Sequence, residues 1–104
     1  MKVFVKIVNL NEVIDIYADD KLKVIKFNNK DINFDAEKFV GEVSFITYNW
    51  KEENFNNNIL DGERYLIKIV SNDNQERKIV GKNSFPENYA KLKQLIEEVK
   101  KYGY

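Results

Sequence analysis

The side chains of this chain with the right types for chemistry are hydroxyls, carboxylates and amines. They are Ser44, Ser71 and Ser84, the acids Glu52, Glu53, Asp61 and Glu63, and 15 lysines. Histidine and cysteine are both absent from the 104 residues. That removes the commonest general base at neutral pH, the thiol nucleophile, disulfides and the usual zinc ligands. The serines therefore have no imidazole to activate them, and no spacing marks a Ser–Lys pair. Glu52, Glu53, Asp61 and Glu63 are the candidates for carboxylate-pair hydrolysis, which needs two acids across a cleft, one with a raised pKa. In a polar, asparagine-rich stretch they are expected to be solvated instead. Asp19-Asp20 is too short to hold a metal, and Asn72-Asp73-Asn74 reads as a hairpin turn. Gly41, Gly62, Gly81 and Gly103 are scattered and form no phosphate cradle. The expectation is a non-enzymatic protein with no cofactor and no metal, whose function is carried by surface shape and charge.

Protein binding has positive support. Tyr48, Trp50, Phe55 and Tyr65 bring aromatics beside Glu52, Glu53, Asp61 and Glu63, and Trp and Tyr are typical interface anchors. Taken singly, each of these aromatics is better read as structural, Trp50 as closing the core. The 17 basic and 17 acidic residues cancel, but unevenly. Residues 35–63 hold seven acids against Lys38 and Lys51, a balance of −5, whereas residues 64–104 hold nine bases against five acids, a balance of +4. The acidic stretch is expected to face a basic protein partner, such as a nucleic-acid-processing enzyme. Nucleic-acid binding is the alternative. Lys23, Lys26, Phe27, Lys78 and Lys82 place lysines near an aromatic, and Lys93, Lys100 and Lys101 line one helix. Zero net charge and only two arginines, Arg64 and Arg77, argue against it.

These residues need elements to position them. Val3, Val5 and Ile7 alternate with Lys2, Phe4 and Lys6; Ile14, Ile16 and Ala18 alternate with Val13, Asp15 and Tyr17; Ile25 and Phe27 follow. Turns are expected at Asn9–Asn11, Asp19–Lys21 and Asn28–Lys30. In Asp35–Trp50, Phe39, Val40, Val43, Ile46 and Trp50 recur at helical spacing, with Asp35 as N-cap and Glu37 in the first turn. Internal Gly41 and β-branched Val43, Ile46 and Thr47 pull toward a strand; helix is favoured. Lys51–Glu63 reads as a surface loop, partly pinned by Phe55, Ile59 and Leu60. Tyr65–Val70 and Glu76–Gly81 form a hairpin around Ser71–Gln75. Ser84-Phe85-Pro86-Glu87 has capping-box spacing, and Tyr89, Leu92, Leu95, Ile96, Val99 and Tyr102 repeat at helical intervals. Tyr104 lies beyond that helix. The expected fold is one α+β domain in the order βββ-α-ββ-α: an antiparallel sheet of about five strands with two helices on one face.

No apolar run reaches 18 residues and the N-terminus alternates like a strand, so neither a membrane span nor a signal peptide is expected. The expected location is cytoplasmic. Lys, Asn and Ile make up 40 of the 104 residues, which suggests an AT-rich genome. Asp61-Gly62-Glu63-Arg64-Tyr65, followed by Gly81-Lys82-Asn83-Ser84-Phe85-Pro86-Glu87-Asn88-Tyr89, resembles a signature of small uncharacterised accessory proteins from low-GC bacteria and their phages. There a DG-x-x-Y strand start precedes G-x-N-x-(F/Y)-P-x-N-(W/Y) at a helix start. The resemblance covers roughly residues 59–102 and carries no catalytic residue. It implies an accessory role, which suggests an inhibitor of a host defence or toxin enzyme, of the anti-CRISPR or immunity kind.

Overall fold

A computed structural model describes residues 1–56 and 62–103. Alternation with a period of two produces the long strands: β1 (Lys2–Val8), β2 (Val13–Asp19), β6 (Arg64–Val70) and β7 (Glu76–Lys82). Three shorter ones join them: β3 (Val24–Phe27), β4 (Lys30–Asp31) and β5 (Glu53–Phe55). The sheet runs β4-β3-β2-β1-β6-β7-β5. All neighbours pair antiparallel except β5, which lies parallel to β7. Helices α1 (Ala36–Ile46) and α2 (Tyr89–Gly103) pack on one face.

The α+β class and the two helices agree with expectation; the strand inventory is corrected. Among the described residues the sheet is mixed and has seven strands, not about five antiparallel ones. The two additional strands are only two and three residues long, too short for a periodic signal. Within the presumed loop Lys51–Glu63, backbone bonding to β7 makes β5: the Val80 amide donates to the Glu52 carbonyl at 2.8 Å, and the Asn56 amide to the Lys82 carbonyl at 2.9 Å. The expected pinning by Ile59 and Leu60, and the position of Tyr104, lie outside the described residues.

Turn chemistry matches the asparagines. Asn28 and Asn29, with φ of 48° and 68°, form the two-residue turn between Phe27 and Lys30. The Asp19 carboxylate accepts from the amides of Lys21 and Leu22, and the Asn9 carbonyl oxygen Oδ1 from those of Asn11 and Glu12. Asp35 caps α1 by accepting from the Lys38 amide at 3.1 Å. Helix wins in α1 because Ala36, Phe39, Val40, Val43 and Ile46 all bury on one stripe, which outweighs the small β-branched penalty. The Arg77 guanidinium closes its far end, donating to the carbonyls of Thr47 at 2.7 Å and Trp50 at 2.9 Å.

Ser84 is not the cap of α2, which starts at Tyr89. Phe85 precedes Pro86 and is therefore disfavoured in the helical region, and Pro86–Tyr89 forms a turn, the Tyr89 amide donating to the Pro86 carbonyl at 3.0 Å, before the helix begins. Ser84 instead offers its carbonyl to the Tyr65 hydroxyl at 2.7 Å.

Candidate binding surface

The inward sheet residues Val3, Val5, Ile7, Ile14, Ile16, Ile67 and Ile79 share one buried cluster with both helices. The opposite face carries the alternate residues, half-buried or exposed apart from the buried Asp19, and no described helix lies on it. The aromatic residues expected to form a site divide between these layers.

Trp50 is only 7 % exposed and Tyr65 is also buried; both belong to the core. Trp50 packs against Tyr65 and Tyr89 with ring centroids 6.1 Å apart in each pair, and Phe85 stacks on Tyr89 at 4.7 Å. The Trp50 indole N–H has no hydrogen-bond partner among the described residues. Burial pushes the Tyr65 hydroxyl up to about 12. Tyr48, 77 % exposed, follows the end of α1, whereas Phe55 is 53 % exposed on the outward sheet face. Glu52 and Glu53 are exposed at the β5 edge. Asp61 lies outside the described residues.

Glu63 is a structural hub. Its carboxylate accepts from Lys93 Nζ at 2.7 Å, from Asn9 Nδ2 at 2.9 Å and from the Tyr89 hydroxyl. Burial alone would raise its pKa, but these donors and the Lys93 charge bring it below the ordinary value. The Tyr89 hydroxyl is pushed up, first by burial and then by the Glu63 carboxylate.

The described acids of residues 35–63 do not converge on one surface. Asp35 caps α1, and Glu37 pairs with Lys23 at 3.7 Å ahead of β3. Glu53 sits on β5, with four strands of the sheet between β3 and it. Of the lysines named for nucleic-acid contact, Lys26, Lys78 and Lys82 point outward, but Phe27 is buried in the core. On α2, Lys93 is bonded to Glu63, and Lys100 to Glu12 and Glu97.

The register assembles a different surface. On the outward face of the central strands β1 and β6, the eight positions are Lys2, Phe4, Lys6, Val8, Arg64, Leu66, Lys68 and Val70. Four are cations and none is an anion. One cross-strand row reads Lys26, Tyr17, Phe4, Lys68, Lys78 across β3, β2, β1, β6 and β7. The Phe4 and Tyr17 ring centroids are 4.9 Å apart, and Lys68 Nζ lies 5.3 Å from the Phe4 centroid. Beside this row, Lys6, Val8, Phe55, Arg64, Leu66 and Lys82 line a shallow groove of about 360 Å³. Sequence reasoning noted the alternation in each strand but not the row, because a row is defined only by register.

On the helical side, Gly41, Phe45, Ile46 and Leu95 line a second groove of about 380 Å³ between α1 and α2. Among the described residues, no group of three or more acids that could hold a metal ion occurs, and no helix is long and apolar enough to cross a membrane. Comparison with protein-family models, with curated proteins and with solved structures returns no match.

Proposed function

We propose that this chain is a non-enzymatic binding domain whose working surface is the outward sheet face, and that it holds an anionic macromolecule there. The observation that carries this reading is the cation-only outward face of β1 and β6, with Phe4, Val8 and Leu66 between the charges. An apolar centre within a charged surround is the composition of an interface, and cations of one sign steer a partner of the other. The groups whose pKa is shifted at this end of the sheet fit a structural role: Tyr65, Tyr89 and Glu63 are engaged in internal hydrogen bonds.

Inhibition of a defence or toxin enzyme, the role suggested by the sequence resemblance, is one form this binding takes, with the domain occluding an acidic patch on the enzyme. A basic partner would need the acids of residues 35–63 gathered together, and the described ones are spread across the sheet's width.

The test is capture of a partner from a host lysate by three versions of the chain. Reversal of Lys6, Lys68 and Lys82 to Glu is expected to abolish capture. Reversal of Glu52 and Glu53 to Lys is expected to preserve it. The opposite pattern would transfer the working surface to the acidic β5 edge and end this proposal. Glu63 is left out of the reversal because its loss would weaken the fold itself.

A further inference from the structure

The geometry points to single-stranded nucleic acid as the occupant of the outward face, lying across the strands along the row Lys26, Tyr17, Phe4, Lys68 and Lys78. The inference rests on the reading of that face as the working surface and names its ligand. Three features of the row favour a nucleic acid strand over an acidic protein patch.

The first is order. Two aromatic rings stand side by side at the centre, with one lysine on the β3 side and two on the β6 and β7 side. Sheets that hold single strands stack two or three bases on surface aromatics and keep cations along the backbone path. The second is length. The row crosses five strands, about 19 Å at ~4.8 Å per strand spacing, room for a short single-stranded segment. The third is the absence of an acid within these five positions. Of the nearby acids, Asp15 and Asp19 flank Tyr17 on β2, Asp15 opposite Lys6, while Asp31 and Glu76 stand at the margins. Asp31 lies 4.0 Å from Lys26 and Glu76 lies 3.6 Å from Lys68, both in exposed pairs that a phosphate can replace. The Asp19 carboxylate, one row away beside Tyr17, is held by the backbone amides of Lys21 and Leu22.

Zero net charge does not oppose this assignment, because counterion release depends on the cations that touch phosphates, not on the whole-chain sum. Scarcity of arginine limits base-specific readout, so recognition is of strand and stacking, not of sequence.

The experiment is fluorescence anisotropy of the full chain with a labelled oligo(dT) or oligo(U) of about 12 nucleotides, with a labelled polyglutamate peptide as the second ligand. Three phosphate-contacting lysines predict a roughly 20-fold loss of oligonucleotide affinity between about 50 and about 200 mM salt, and K68A/K78A should reduce that to roughly threefold. Phe4→Leu and Tyr17→Leu should each weaken binding roughly fivefold or more, while Tyr17→Phe keeps the ring and the affinity. K91A/K101A on α2 should leave affinity unchanged. Thermal melts by circular dichroism confirm that each variant is folded. Oligonucleotide binding that ignores the row variants overturns the assignment. Polyglutamate binding that is sensitive to K68A/K78A, without oligonucleotide binding, also overturns it but leaves the proposed function standing. Binding of neither ligand overturns both.

Discussion

Tyr65 and Gly81 show how a single residue acquires a reason. A Cβ on Gly81 would run into the Tyr65 ring, and one on Gly62 into the Asn83 side chain. Gly62, Tyr65, Gly81, Asn83 and Ser84 therefore lock the start of β6 to the end of β7. Gly81→Ala is expected to cost about 1–3 kcal/mol through this overpacking. In a Tyr65→Leu background the same change should cost far less, and urea denaturation of the four chains of that cycle measures the coupling. Equal costs in both backgrounds would refute the contact as the cause. Glu63 makes the second prediction at this scale. Its folded pKa lies below the ordinary value of 4.5. The unfolded chain therefore binds more protons in that window, so the stabilisation is present above about pH 4.5 and is lost as pH falls through the folded value. Glu63→Gln is expected to lower stability at neutral pH by about 1–2 kcal/mol and to flatten this acid limb. Urea midpoints measured from about pH 6 to about pH 3 check it; parallel curves for both chains would be the contrary result.

Among the elements, α1 was the contested one. Its apolar spacing suited a helix while Gly41 and the β-branched residues suited a strand. Burial of one stripe against the sheet decided it, and Gly41 is left exposed with open space where a side chain would stand. Gly41→Ala is thus expected to stabilise the protein by about 0.5–1 kcal/mol, visible as a melting midpoint a few degrees higher. A lower midpoint would mean the glycine has a role that its surroundings do not show. The long strands, their inward and outward faces and the asparagine turns were legible because their signals are local. β4 and β5 were not, since a strand of two or three residues is made by its neighbour's hydrogen bonds rather than by its own pattern. The Ser-x-x-Glu spacing alone places the start of α2 too early, because Pro86 restricts the backbone of Phe85.

For the whole molecule, charge placement matters more than charge total. Sums over consecutive residues suggested an acidic segment and a basic one, but the sheet deals the charges out by row and face. Reversing Lys6, Lys68 and Lys82 to Glu should abolish retention on an anionic resin. Reversing Lys38, Lys91 and Lys101 changes the net charge equally and should leave retention largely intact. The Lys38, Lys91 and Lys101 variant should melt near the parent, because exposed substitutions shift stability by only about ±0.5 kcal/mol each; Lys68 and Lys82 are half-buried, so a melt by circular dichroism establishes that their variant is folded before retention is compared. Equal loss in the two variants would mean that net charge, not the outward face, governs binding.

By itself the sequence determined the chemistry that histidine or cysteine would have supplied and this chain lacks, the α+β class, both helices, and which side chains of each long strand share a face. Those properties follow from residue type and from periods of 2 and 3.6, which are written along the chain. Only the tertiary structure decided that Trp50, Glu63 and Tyr65 serve the interior, that the described acids of residues 35–63 are dispersed, and that lysines from three strands line up beside Phe4 and Tyr17. Cross-strand neighbours are set by strand order and register, and no spacing along the chain encodes that a residue of β1 will stand between residues of β2 and β6.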